Sequence, residues 1–128
     1  MSEKKLLIVD DEECIRYVLE EAFSRAGYTV RSAESAEEAL EVLKQINIHV
    51  MFLDLNLPGM GGVELCKQLR KDRPMDIIYA LTGYSSLFEQ TECREAGFDD
   101  FFQKPVELKT LFKAAQDASE RIDEWQKR

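Results

Sequence analysis

Four times in this chain a short strand-like run, apolar in all but the last case, ends on a charged or hydroxylated residue. Leu6-Leu7-Ile8-Val9 meets Asp10, Val50-Met51-Phe52-Leu53 meets Asp54, Ile77-Ile78-Tyr79-Ala80-Leu81 meets Thr82, and Phe101-Phe102-Gln103 meets Lys104. Short apolar runs without polar alternation suit strands buried on both faces. Such strands belong to parallel sheets, whose crossover connections are helices. The run from Val50 to Leu53 is the most informative, because Leu55-Asn56-Leu57 and then Pro58-Gly59-Met60-Gly61-Gly62 follow its aspartate. That cluster stops the strand and makes a loop.

The segments between the runs carry helix signals. After the first strand (Lys4 to Asp10), Asp10 or Asp11 can cap a helix, and Glu12 and Glu13 suit its positive end. Ile15, Val18, Leu19, Ala22 and Ala26 keep helical spacing, and Gly27 stands where a helix stops. A brief strand, Tyr28 to Ser32, leads to Ser35, with Glu38 three residues on as a capping box. Ala36, Ala39, Leu40 and Leu43 give the second helix its apolar face, and Asn47 is a plausible stop. Val63, Cys66 and Leu69 mark a third helix, ended by Asp72-Arg73-Pro74. A fourth strand runs from Asp76 to Thr82. Ser85 or Ser86 can then cap a fourth helix reaching about Ala96, with the weakest apolar pattern of the set and Gly97 as its close. Asp99 to Gln103 makes the fifth strand. Leu108, Leu111, Phe112, Ala115, Ile122 and Trp125 trace the last helix, with Trp125 as late core or interface. The expectation is an α/β fold: a doubly wound five-stranded parallel sheet with five helices on both faces, formed by residues 1–128 as one domain.

Composition narrows the function. The chain has 25 acidic and 17 basic residues, a net charge of −8. That disfavours direct binding of nucleic acid or an anionic membrane. No apolar run approaches the ~20 residues of a membrane span. The start, Met-Ser-Glu-Lys-Lys-Leu, lacks the pattern of a signal peptide, so a cytoplasmic location is expected. Cys14, Cys66 and Cys93 are odd in number and widely spaced, which argues for reduced thiols rather than zinc or a disulfide framework.

In a parallel sheet all strand ends point one way, and ligands gather there. Asp10, Asp11, Asp54, Thr82 and Lys104 can therefore share one pocket. Two carboxylates ~5 Å apart repel by about 3 kcal/mol at an effective dielectric near 20. A hard divalent cation relieves that repulsion, and Mg²⁺ takes one or two protein carboxylates while keeping several waters. Lys104 adds a positive charge that can reach a phosphate, and Thr82 adds a hydroxyl donor. Such a set can accept a phosphoryl group, with Asp54 as the best nucleophile and the Asn56 carbonyl placed to approach the metal.

The groups Val9-Asp10-Asp11-Glu12, Leu53-Asp54-Leu55-Asn56-Leu57-Pro58-Gly59-Met60-Gly61-Gly62, Ala80-Leu81-Thr82-Gly83 and Lys104-Pro105, in this order, make the chain resemble the receiver domain of two-component response regulators. The resemblance runs from about Lys4 to about Trp125. It implies a flavodoxin-like sheet of strand order 2-1-3-4-5. It implies that Asp54 is the phosphoacceptor, served by a sensor histidine kinase, a histidine phosphotransfer protein or a small acyl phosphate. Mg²⁺ would be bound by Asp11 and Asp54 side chains, by the Asn56 carbonyl, and by Asp10 largely through water. Thr82 and Lys104 would hold the phosphoryl oxygens, and Lys104-Pro105 would be cis. Phe101 occupies the switch-aromatic position, so Thr82 and Phe101 together would alter the surface of the fourth helix, fifth strand and fifth helix. That surface would control an effector domain or downstream protein, or a phosphorylation-dependent homodimer.

The chain departs from the family's common pattern at Phe101, which has no tyrosine hydroxyl, and at Gly61, which weakens the cap of the third helix. Tyr84 is placed to shield a phosphoryl group from water. A phosphohydrolase built on an aspartyl-phosphate needs an acid two residues after the nucleophile. Asn56 stands there and cannot donate a proton in that role. A flavin-binding loop after the first strand is opposed by Asp10-Asp11-Glu12-Glu13. A degenerate receiver would lack the acceptor or the lysine, and both are present.

Overall fold

The computed structural model describes residues 3–83 and 86–127. Its strands are β1 (Lys5–Val9), β2 (Thr29–Ala33), β3 (Val50–Asp54), β4 (Ile77–Thr82) and β5 (Asp100–Gln103). The helices are α1 (Glu13–Arg25), α2 (Ala36–Gln45), α3 (Gly62–Asp72), α4 (Leu87–Ala96) and α5 (Leu108–Gln126). All pairings are parallel and the order is β2-β1-β3-β4-β5. This is the doubly wound architecture that the run-and-helix pattern predicts.

Successive strand residues point to opposite faces, and both faces are buried. Leu6, Ile8, Val50, Phe52, Ile77, Tyr79 and Leu81 join Leu19 and Phe23 of α1 and Leu111, Ala115, Ala118 and Ile122 of α5. Leu7, Val9, Met51, Leu53, Ile78 and Ala80 join α2, α3 and α4 through Ala36, Ala39, Leu65, Cys66, Leu69, Cys93 and Ala96. The apolar runs lack alternation because each side chain has a helix above or below it.

Three local expectations are corrected. In α1 the buried pair is Leu19 and Phe23, while Val18 and Ala26 are exposed. Phe23 fits the same helical stripe (Ile15, Leu19, Phe23). Its ring packs edge-on against Tyr28 and Phe112 at centroid distances of 5.2 and 4.9 Å. The N-cap of α1 is Glu12 rather than Asp10 or Asp11, and it makes no side-chain cap; Asp10 Oδ1 instead accepts the Glu12 amide at 2.9 Å. The α2 capping box is half displaced. Ser35 Oγ accepts the Glu38 amide at 3.1 Å, but Glu38 Oε1 takes the amide of Glu34 rather than that of Ser35.

Other caps follow the sequence. Gly61 caps α3 without any side-chain bond, and Ser86 Oγ accepts the Glu89 amide at the start of α4. Ser85 and Tyr84, named in the sequence reading, lie outside the described residues. Leu87 and Phe88 on α4 are 76% and 72% exposed, which accounts for that helix's weak apolar pattern. Among the described residues no helix is long and apolar enough to cross a membrane.

Candidate functional site

The carboxyl ends of β1, β3 and β4 and the segment after β5 meet at one edge of the sheet. Asp10 and Asp54 are buried there, as is Thr82. Lys104 ties them together: its Nζ donates to Asp10 Oδ2 at 2.8 Å and lies 3.4 Å from Asp54 Oδ2 and 3.7 Å from Glu12 Oε1. The Lys104 amide donates to the Thr82 carbonyl at 2.7 Å, so the lysine backbone is held to the end of β4. The Lys104-Pro105 bond is cis.

Local chemistry aims each acid. The Asp54 Oδ1 atom accepts the Asn56 amide at 3.1 Å, a turn of the aspartate onto its own backbone. The Leu55 amide donates to the Leu81 carbonyl and the Gly62 amide to the Leu55 carbonyl, which holds the loop after β3 against β4 and α3. Asp10 uses one oxygen for the Glu12 amide and the other for Lys104.

Burial raises the Asp54 carboxyl above its ordinary value. The Asn56 amide offsets this, the Asp10 charge adds to it, and Lys104 opposes it. For Lys104, burial pulls the pKa down, but the hydrogen bond and charge of Asp10 and the charge of Asp54 outweigh it, and the net shift is upward. One lysine thus serves two buried acids.

The resemblance to receiver domains implies a cation held by Asp10, Asp11, Asp54 and the Asn56 carbonyl. Among the described residues the structure brings together Asp10, Asp11 and Glu12, one carboxylate oxygen of each lying within 4.8 Å of the others. Glu12, with its carboxylate beside Lys104, was not assigned a ligand role. Its position directly after the two aspartates is the signal that could have marked it. An all-oxygen donor set of carboxylates fits a hard cation such as Mg²⁺ and not a soft one.

Thr82 and Phe101 share a face of the sheet. Ala80, opposite Phe101 in the ladder, packs on the α2–α4 side, and Thr82 follows it by the strand period of two. Half-buried Phe101 packs against that same core layer, which includes Cys93, Ala96 and Phe98. Cys66 and Cys93 are buried and Cys14 is exposed, all three free. Burial pushes the Cys66 thiol up to about 11, which suits an inert core residue.

A doubly wound parallel sheet with acids, a hydroxyl residue and a lysine gathered at its carboxyl edge is the architecture of a receiver. Residues 6–116 match the response regulator receiver domain, and the chain belongs to that family of signal-transduction switches. It is 40% identical over 102 residues to the alkaline phosphatase synthesis transcriptional regulatory protein PhoP of Bacillus subtilis, covering 80% of this chain and 42% of that protein. The chain spans about half the length of the curated relatives it matches. A CheY-like receiver domain protein from Methanospirillum hungatei superposes with a TM-score of 0.87 at 32% identity, covering 96% of this chain and 99% of the other. A response regulator from Burkholderia pseudomallei, solved with a phosphorylated aspartic acid, calcium ion and citrate, superposes with a TM-score of 0.82 at 27% identity, covering 97% and 73%.

Proposed function

We propose that residues 1–128 act as one cytoplasmic receiver unit that takes a phosphoryl group onto Asp54 in a Mg²⁺-dependent reaction. The observation that carries this is the convergence on Lys104: its ammonium lies 2.8 Å from Asp10 and 3.4 Å from Asp54, at the carboxyl edge of the sheet. The phosphorylated aspartate of the Burkholderia relative supports the same chemistry here.

An Asp54 carboxylate oxygen attacks phosphorus in line. The P–N bond of a phosphohistidine breaks, an acyl phosphate forms on Asp54, and the imidazole nitrogen leaves with the electron pair. Lys104 shifts from neutralising two carboxylates to pairing with the new phosphoryl oxygens, and the Thr82 hydroxyl donates to them. Asp10, Asp11, Asp54 and the Asn56 carbonyl would hold the metal, with Glu12 beside them. When bound, the metal neutralises charge on the phosphoryl oxygens. Asn56 supplies no proton for rapid hydrolysis, so the chain acts as a switch rather than a turnover enzyme.

Output follows from the shared face. Displacement of Thr82 toward the phosphoryl group opens room beside Phe101, and the ring turns inward under α4. The surface of α4, β5 and α5 then changes for an effector domain, a downstream protein or a second copy of the chain. The exposed Leu87 and Phe88 on α4 are the kind of side chains such a contact buries. The phosphodonor is a sensor histidine kinase or a histidine phosphotransfer protein.

Mg²⁺ with acetyl phosphate tests this by intact mass and by amide shifts. Wild-type protein is expected to gain one phosphoryl group and to shift near Thr82 and Phe101. No mass gain sinks the reading, and equal labelling of Asp54→Asn means another residue is the acceptor.

A further inference from the structure

Asp10 is fully buried, so each of its polar groups needs a partner. Its amide donates to the Ala33 carbonyl at 3.1 Å, and its two carboxylate oxygens take the Glu12 amide and Lys104. The remaining group is its backbone carbonyl, at the point where the chain leaves β1 and turns into α1. Arg16 fills that place: Nη1 donates to the Asp10 carbonyl at 2.8 Å.

The placement runs against local electrostatics. Arg16 is the fourth residue of α1 and reaches back toward the helix N-terminus, the end that disfavours a cation. Its side chain is only 16% exposed, and its one acidic partner among the described residues, Glu34, is 3.8 Å away and itself 65% exposed. Neither a helix nor a surface ion pair explains an arginine held there. The turn it grips is the one from which Asp10, Asp11 and Glu12 bring their oxygens within 4.8 Å.

We propose that Arg16 is a positioning residue for the divalent cation: by holding the Asp10 carbonyl it fixes the β1–α1 turn on which the three carboxylates converge. This rests on reading that acidic group as the metal site. It makes a prediction opposite in sign to simple charge. Removing a cation from the turn that carries three carboxylates should strengthen Mg²⁺ binding by Coulomb attraction alone. Removing the partner that orients the ligands weakens it, as loss of outer-shell hydrogen bonds does elsewhere.

The test is Mg²⁺ titration followed by amide shifts of Asp11 and Glu12, with thermal unfolding in EDTA as a measure of the fold. Arg16→Met is expected to bind Mg²⁺ about tenfold more weakly than wild type. Arg16→Lys keeps the charge but has one nitrogen in place of the fork, so a loss of about threefold is expected. If Arg16→Met does not fold, Arg16→Lys carries the test, and unchanged affinity overturns the proposal. A residue that merely stabilises the fold would lower the unfolding temperature and leave the affinity of the folded protein unchanged. Affinity in Arg16→Met equal to or tighter than wild type therefore overturns this inference alone. Wild-type protein that shows no Mg²⁺ shifts overturns it together with the reading of the acidic group.

Discussion

Gly62 lies against the backbone of Asp54 so closely that a β-carbon at position 62 would sit 2.4 Å from the Asp54 carbonyl oxygen and 2.9 Å from Leu55 Cα. The first residue of α3 is thereby packed onto the end of the strand that presents the candidate acceptor. Both obstacles are backbone, so neither can swing aside as a side chain would.

Gly62→Ala consequently forces the loop between β3 and α3 outward, although alanine is the better helix former. Overpacking of this kind costs about 1–3 kcal/mol. A fall in denaturation midpoint and altered amide shifts at Leu55 and Asn56 are expected. Gly83→Ala, where nothing lies within 4 Å of the added carbon, provides the control. Equal midpoints for the two variants would refute the close-packing argument.

Folding raises the Asp54 pKa, so the ionised carboxylate counts against stability at neutral pH. With both states protonated below the ordinary value of 3.8, that penalty is absent. It appears as pH rises through the folded value. Asp54→Asn removes the charge and is expected to melt at a higher temperature than wild type at pH 7. The gap should close in acid. A variant no more stable than wild type at pH 7 would show that Lys104 compensates fully.

Arg70 fastens the far end of α4. Its guanidinium donates to the carbonyls of Gly97, Pro74 and Asp76 at 2.8, 3.2 and 2.6 Å, and to Asp99 Oδ2 at 2.8 Å. The Asp99 Oδ2 atom also accepts the Ile78 amide. Arg70→Met strips all these contacts and is expected to cost about 3 kcal/mol. Hydrogen exchange should rise first at Gly97 and Phe98, while β1 stays protected. Uniform loss of protection across the sheet would mean that the guanidinium does not hold α4 separately.

The sheet was legible because its evidence is local. Each run from Leu6 to Val9, Val50 to Leu53 and Ile77 to Leu81 carries its own signal, and the polar residue at its end marks the carboxyl edge. Asp10, Asp54, Thr82 and Lys104 could be placed at that edge from parallel topology alone, and the structure brings Lys104 to both acids. Which flank of α1 turns inward was not legible at Val18. Apolar residues lie on either side of the Leu19 stripe, and the aromatic ring of Phe23 decides between them through Tyr28 and Phe112. Arg16 and Arg70 were missed for a different reason. Both grip backbone carbonyls, which leave no mark in a sequence, and Arg70 reaches Gly97 across 27 positions.

Trp125, the chain's one tryptophan, meets His49 edge-on at 5.6 Å between ring centroids, beside the start of β3 rather than its end. The strand between His49 and Asp54 separates that ring from the acids by about 16 Å. Fluorescence therefore reads the wrong pole of the molecule. Its emission follows unfolding and the last turn of α5, and a metal or phosphoryl group arriving at Asp54 leaves it dark to the event.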